Sequence, residues 1–180
     1  MTAEGSIYGK ALYLLAREEN LCEQILCELK TVRSLFAENP EYITLLDFPS
    51  VRIEDRTDAV KAALSGMSEY VVNLLCILTE KRRAQLFSAA AKEFERLFDE
   101  ENGILKVTAI TAVPLSQSQK EAIAIRLTAE IVGTKQVIVD NKIDPSILGG
   151  LILQYAGRQT DASVALQLKT LQQKIASASI

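Results

Sequence analysis

The sequence predicts an α+β protein of two domains, an all-α six-helix bundle followed by a small β-α-β-β-α domain. Two observations lead to this prediction. Apolar residues recur at helical spacing as far as Gly103, and beyond it they alternate with a period of two. The chain of 180 residues is 48% hydrophobic and 24% charged, which is typical of folded domains with apolar cores. We therefore predict one domain at 1–103 and a second at 104–180.

The charge balance changes at the same boundary. Residues 1–103 contain 12 Lys and Arg against 18 Asp and Glu, a net charge of −6. Residues 104–180 contain 8 against 5, a net charge of +3. Neither part has a dense basic cluster, and the isoelectric point near 5.2 argues against duplex nucleic acid as the main ligand. The opposite charges instead indicate two domains that face different partners.

Six helices joined by short loops are predicted in the first domain. They cover residues 6–17, 21–36, 40–47, 53–64, 69–79 and 83–101. Asn39 and Ser68 are the expected N-caps of the third and fifth helices, and Pro40 suits a first helical position. The fourth helix is expected to bury Ile53, Val60, Ala63 and Leu64. Gly103 is the expected end of the sixth helix, because glycine readily adopts the left-handed conformation that follows a helix.

The second domain is predicted to contain three strands and two helices. A strand at 105–113 alternates apolar and polar residues, and Pro114 ends it. Ser116 and Gln119 form a capping box for the next helix. Further strands are expected at 135–142 and 148–155, separated by a turn at 144–146. Asp161 is expected to cap a final helix, which carries Val164, Leu168, Leu171 and Ile175 on one face.

The sequence contains no set of residues typical of catalysis. The chain has no His, which removes Ser–His and Cys–His nucleophilic catalysis and imidazole metal ligands. No phosphate-binding loop is present, and Gly149 and Gly150 lack the third glycine of a dinucleotide fingerprint. They are interpreted as a bulge or a close backbone approach at a strand start. No catalytic residue, cofactor or metal ligand is therefore predicted.

Two predicted helices carry more apolar surface than one buried face needs. In the first helix, Tyr8, Leu12 and Leu15 form a second stripe. The fifth helix is apolar on nearly all sides. Such a helix either lies at the centre of a bundle or is covered by a partner, and the sequence leaves both open. In the second case a groove for an amphipathic helix of another protein would be lined by Tyr8, Leu12, Leu15, Val71, Leu75 and Leu78.

Several short motifs follow one another along nearly the whole chain. They are YGKAL at 8–12, LLCILTEKRR at 74–83, FERL at 94–97, PLS at 114–116 with Gln119, IDPSILGGL at 143–151 and DASV at 161–164. In this order the motifs resemble the delta subunit family of F-type ATP synthases. That family is the bacterial and chloroplast counterpart of the mitochondrial oligomycin-sensitivity-conferring protein. The glycine-containing motif and the DASV that follows it are the most specific part.

The resemblance implies a non-catalytic stator subunit without a cofactor. In this family the helical domain binds an N-terminal helix of an alpha subunit, and the C-terminal domain binds the C-terminal end of the b-subunit stalk. The subunit holds the catalytic head against the torque of the rotating shaft, so that proton transport is coupled to ATP synthesis. The resemblance places the protein at the cytoplasmic face of the cell membrane, attached only through the complex. It implies structural roles for Asp144, Gly149, Gly150, Asp161 and Ser163.

The sequence supports two other functional classes less well than it supports a stator subunit. A small enzyme built on the second domain would lack His, a phosphate-binding loop and a metal cluster. A nucleic-acid adaptor would need a basic stripe interleaved with stacking aromatic residues, and the sequence has only five Phe and five Tyr. No segment reaches the ~20 apolar residues of a membrane span, and the N-terminus lacks the pattern of a signal peptide.

Overall fold

A computed structural model describes residues 3–48, 51–164 and 166 of the chain. The chain divides into two compact units between Phe98 and Asp99. The division falls inside the sixth helix, before Gly103. Asp99 belongs to the second unit and forms an ion pair of 2.6 Å with Lys106 of the first strand. Taken together, the helices and a four-stranded mixed sheet make an α+β fold.

The first unit is built from helices. They are α1 (Ala3–Glu18), α2 (Cys22–Glu38), α3 (Pro40–Asp47), α4 (Ile53–Ala63), α5 (Glu69–Glu80), a 3₁₀ turn (Ala84–Leu86) and α6 (Phe87–Asn102). One continuous apolar cluster lies between them. Phe87 packs edge-on against Phe36, and Phe94 packs edge-on against Tyr13, each with ring centres 5.4 Å apart.

The residues at the expected N-caps of α3 and α5 do not cap with their side chains. Asn39 precedes α3, but its side-chain amide donates to the Leu35 carbonyl at the end of α2. Ser68 precedes α5, but its hydroxyl donates to Glu28 of α2. Both side chains thus form their hydrogen bonds with α2 and not with the helix that they precede. A rule for local capping considers only the following helix, so it does not predict these partners.

Two further expectations about the helices are wrong. The sixth α-helix begins at Phe87, because residues 84–86 form a 3₁₀ turn instead of continuing the helix from 83. In α4, Ile53 is 48% exposed, whereas Arg56 is only 1% exposed. Ala63, which was also expected to be buried, is exposed, so the buried side of α4 carries the Arg56 guanidinium beside Val60. Gly103 follows α6 with a φ of 68°, so the predicted end of that helix is confirmed.

The second unit contains a mixed sheet with the strand order β2-β1-β3-β4. Its elements are β1 (Ile104–Thr111), α7 (Gln117–Glu130), β2 (Gln136–Ile143), a 3₁₀ turn (Pro145–Ile147), β3 (Gly150–Tyr155) and β4 (Arg158–Ser163). Strand β2 is parallel to β1, and β3 is antiparallel to both β1 and β4. The helix α7 forms the crossover between the two parallel strands.

The period-two pattern of β1 and the capping box of α7 are both confirmed. Val107, Ala109 and Thr111 are buried on one face of β1, while the residues between them are half-buried. Ser116 accepts from the Gln119 backbone, and the Gln119 side chain accepts from the Ser116 backbone. The helical spacing of Ile123, Leu127 and Ile131 predicts one apolar stripe on α7, and of these three side chains only Leu127 is fully buried.

The end of the described chain differs from the prediction. Residues 158–163 form β4, whereas the sequence predicted a turn followed by a helix capped by Asp161. Asp161 lies inside this strand, opposite Ile152. Val164 and Leu166 are helical, and the Ser163 hydroxyl accepts from the Leu166 backbone at 3.2 Å, as an N-cap does. The expected helix positions Leu168, Leu171 and Ile175 lie outside the described residues.

Candidate partner-binding site

The start of α1 and the end of α5 are held together by polar contacts. Lys81, directly after α5, donates from Nζ to the Tyr8 hydroxyl at 3.1 Å, and its ammonium lies 5.5 Å from the centre of the Tyr8 ring. Arg83 forms an ion pair with Glu4, one turn before Tyr8. These contacts place Tyr8 at the junction between the two helices.

The six residues predicted to line a groove do not share one exposed surface. Leu12 is 5% exposed, and Val71, Leu75 and Leu78 are completely buried in the core of the helical unit. Leu15 is 48% exposed, and Tyr8 is half-buried against the same core. The interpretation of a groove lined by all six is therefore corrected. The four buried side chains support the surface from below because α5 packs against α1, α2 and α4.

A different pair of apolar side chains is exposed on these two helices. Leu15 lies two turns after Tyr8 on the same side of α1, and Ile77 lies one turn before Lys81 on the same side of α5. Ile77 is 42% exposed. We call Tyr8, Leu15, Ile77 and Lys81 the α1–α5 surface. Ile77 was missed because a helix that is apolar on nearly all sides does not reveal which side faces water.

The beginning of α5 is fixed by a carboxylate from α2. Glu28 accepts from the Ser68 backbone at 2.9 Å and from the Ser68 hydroxyl at 2.6 Å. Partial burial acts to raise the pKa of Glu28, but the hydrogen bonds from Ser68 and Gln24 outweigh it and lower the pKa. The negative charge also suits the N-terminal end of a helix. Glu28 therefore caps α5 from a neighbouring helix.

The other end of α5 is fixed by Arg56 of α4. The Arg56 Nη1 donates to the Leu46 carbonyl of α3 at 2.8 Å and to the Thr79 carbonyl of α5 at 3.4 Å. Both carbonyls belong to the last turn of their helix, where a cation is favoured. Among the described residues, Arg56 Nε and Nη2 have no hydrogen-bond partner. Arg56 thus links the ends of α3 and α5 inside the core.

The signature residues of the second unit meet where β3 begins and β4 ends. Asp144 accepts from the Ser146 backbone at 3.0 Å, and Asp161 accepts from the Ser163 backbone at 2.8 Å. Hydrogen bonds from the side chain and then the backbone of Ser146 and of Ser163 hold the pKa of Asp144 and of Asp161, respectively, below the usual value. Ser163 is 2% exposed. Each of the three polar side chains therefore shapes the backbone at this corner.

The two adjacent glycines allow the backbones at this corner to approach. Gly150 has a φ of 84°, and a Cβ there would lie 2.4 Å from the Ala162 carbonyl oxygen. The Gly149 carbonyl accepts from the Val164 backbone at 3.0 Å, just beyond β4. The predicted close approach at a strand start is confirmed for Gly150. A side chain at Gly150 would force β3 and β4 apart.

The described part of the chain offers little for metal or membrane chemistry. No group of three His, Cys, Asp or Glu side chains in it is arranged to hold a metal ion. No helix within it combines the length and the apolar character needed to cross a bilayer.

Comparison with known proteins identifies the family. The family model described as "ATP synthase delta (OSCP) subunit" matches residues 5–175. The chain is 34% identical over 170 residues to "ATP synthase subunit delta" of Lactiplantibacillus plantarum, covering 94% of this chain and 93% of the relative. It is 33% identical over 171 residues to "ATP synthase subunit delta" of Enterococcus faecalis, covering 95% and 94%.

Solved structures share the fold. A chain of the Toxoplasma gondii mitochondrial ATP synthase hexamer superposes with a TM-score of 0.74 at 23% identity, covering 97% of this chain and 98% of that one. The family match extends over most of the sequence and includes both the helical unit and the signature corner. The chain therefore belongs to the ATP synthase delta (OSCP) subunit family, and it is a non-catalytic stator subunit of the F-type ATP synthase.

Proposed function

We propose that the two units bind different parts of the synthase. The helices of residues 1–103 act as one six-helix bundle and bind the N-terminal helix of an alpha subunit. Residues 104–180 bind the C-terminal end of the b-subunit stalk. The protein works at the cytoplasmic face of the cell membrane and is attached there only through the complex. The observation that carries this proposal is the exposed apolar pair at the α1–α5 surface.

The α1–α5 surface has the features of a site for an amphipathic helix. Leu15 and Ile77 are 48% and 42% exposed, and covering them removes apolar area from water. Tyr8 and Lys81 supply polar groups beside them, so a bound helix finds both apolar contacts and hydrogen-bonding partners. A buried layer lies beneath them, formed by Leu12, Val71, Leu75 and Leu78.

The fixed ends of α5 suit a part that transmits force. Glu28 holds the first turn and Arg56 holds the last, so that α5 cannot slide along its axis without breaking these hydrogen bonds. A stator transmits torque from the head to the stalk without chemical change of its own. Coupling then depends on the strength of two protein contacts, one on each unit.

The binding test for the helical unit uses two exposed residues. We expect Leu15→Glu and Ile77→Glu each to weaken binding of an alpha-subunit N-terminal peptide about tenfold or more, because a carboxylate would be buried under the peptide. Isothermal titration calorimetry with the full chain measures this affinity. The control is Leu35→Glu on α2, a leucine with a similar exposed fraction of 43%.

Folding of each variant is checked by circular dichroism. Exposed positions are preferable to Leu12 here, because a charge at a buried leucine would unfold the unit and give an ambiguous loss of binding. Native affinity in both folded variants would show that the alpha peptide binds elsewhere. Loss of binding in Leu35→Glu as well would show that the effect is not specific to the α1–α5 surface.

The second contact is tested with the C-terminal segment of the b subunit. The net charge of +3 in residues 104–180 suggests an electrostatic contribution, so binding is expected to weaken between low and high salt. Affinity that does not depend on salt would remove that contribution. Adding the purified protein to cognate membranes and heads depleted of this subunit should restore proton-coupled ATP synthesis, and failure to do so would count against the whole proposal.

A further inference from the structure

A second apolar groove lies on helices that the α1–α5 surface does not use. It runs between the last turn of α2, the helix α3 and the end of α4, and it encloses about 880 Å³. Phe36 and Leu64 are buried at its floor, whereas Leu35 and Leu45 are 43% and 49% exposed at its edges. Exposed leucines around a cavity of this size are typical of a binding site.

Two carboxylates border the groove. Glu38 is the last residue of α2, and Glu41 lies in the first turn of α3. Both are exposed, and neither forms an ion pair with any residue that the structure describes. Glu38 stands at a helix C-terminus, where a negative charge is unfavourable, and the last turn of α2 has no basic residue to offset it. Local helix stability therefore does not explain the presence of Glu38.

The helix ends around the groove add to this negative potential. The C-terminal ends of α2 and α4 both lie at the groove, and each carries a partial negative charge. Only one N-terminal end, that of α3, contributes the opposite sign, and Glu41 in its first turn counteracts it. The groove thus combines an apolar floor with a negative border.

We propose that this groove binds a basic amphipathic segment of a partner protein. The apolar side chains of that segment would pack against Leu35 and Leu45, and its Lys or Arg side chains would lie near Glu38 and Glu41. A second copy of this chain is a poorer occupant, because residues 1–103 carry a net charge of −6 and two copies of the unit would repel. The proposal does not depend on the alpha-peptide site, which lies on other helices.

The test measures fluorescence anisotropy with the full chain and two labelled synthetic peptides. One peptide is an amphipathic helix of Leu and Lys, and the other has the same pattern with Glu in place of Lys. We expect the natural chain to bind the Lys peptide at least about tenfold more tightly than the Glu peptide. In the double variant Glu38→Lys with Glu41→Lys, this preference should reverse. Since both positions are exposed, the variant should fold normally.

Matched controls separate the groove from the overall charge of the chain. The double variant Glu18→Lys with Glu19→Lys changes the net charge by the same amount at the end of α1 and should leave the preference unchanged. The double variant Leu35→Ala with Leu45→Ala should weaken the Lys peptide about tenfold. Ile77→Glu on α5 should leave binding of the Lys peptide unchanged.

The outcomes that would overturn the proposal are specific. One is equal binding of the two peptides to the natural chain, and another is a preference that survives the charge reversal at Glu38 and Glu41. A loss of the Lys peptide in Ile77→Glu would place it on the α1–α5 surface instead. Self-association of the natural chain that disappears in the Leu35→Ala and Leu45→Ala variant would show that a second copy occupies the groove.

Discussion

Replacing Gly9 with alanine tests how closely α1 and α6 approach. A Cβ at Gly9 would lie 2.3 Å from the Ala90 carbonyl oxygen and 2.8 Å from the Glu93 Cβ. Ordinary contacts of a Cβ begin at 3.4 Å, so the first distance is short by about 1 Å. The oxygen belongs to the backbone of α6, and it cannot move unless the helix moves with it.

The expected cost follows from two opposing effects. In an exposed helix, alanine in place of glycine would stabilise by about 1 kcal/mol. Here the overlap forces the helices apart, and overpacking of this kind costs about 1–3 kcal/mol. Separation also loosens the contact between Tyr13 of α1 and Phe94 of α6, whose ring centres are 5.4 Å apart. We expect Gly9→Ala to lower the free energy of unfolding by about 1–2 kcal/mol.

Urea unfolding followed by far-ultraviolet circular dichroism measures this change, because most helical signal comes from the first unit. A thermal midpoint should fall by roughly 4–8 °C for each kcal/mol. Ser34→Ala, at an exposed position of α2, is the control and should be neutral or slightly stabilising. A midpoint that rises in Gly9→Ala would refute the reasoning, since it would mean that α1 and α6 have room between them.

Three further changes test other parts of the structure. Arg56→Ala should destabilise the helical unit by about 3 kcal/mol or more in the same urea experiment. Arg56→Met should lower the free energy of unfolding by less, because methionine keeps most of the side-chain volume and removes the unpartnered donors. Equal decreases for the two variants would contradict this. Hydrogen bonds from Arg96 lower the pKa of Glu93, so this stabilisation is present at neutral pH and lost as the pH falls below 4.5. Glu93→Gln should therefore flatten the acid limb of stability measured against pH, and an unchanged limb would argue against the pair. Gly150→Ala should destabilise the second unit by about 2 kcal/mol or more, because the alanine Cβ would clash with the Ala162 carbonyl oxygen. Amide hydrogen exchange should become faster in β3 and β4, and unchanged protection of these amides would exclude the clash.

Much of the fold follows from local patterns in the sequence. The alternation of β1 and the capping box at Ser116 depend on residues at most a few positions apart, so the sequence specifies them. The strand β4 was missed because Asp161 was interpreted as a helix cap, whereas its carboxylate accepts from the Ser163 backbone inside β4. Pairing with β3 settles the choice, and this partner comes from another segment of the chain.

The candidate sites depend more on tertiary structure than the fold does. The sequence indicated that α1 and α5 have surplus apolar surface, but the burial of Leu12, Val71, Leu75 and Leu78 left Leu15 and Ile77 as the exposed pair. Periodicity describes a single helix, whereas exposure depends on every neighbour of that helix.

By itself, the sequence determined the succession of helices and strands as far as β3, the absence of His-based catalysis and the ordered motifs of the family. These properties depend on residue type and on short spacing along the chain. Only the tertiary structure decided that Arg56 is buried between the ends of α3 and α5 and that Glu28 caps α5. It also decided that Glu38 and Glu41 border an apolar groove. The physical reason is that each of these contacts joins side chains to groups on separate helices, which come together only when the helices pack.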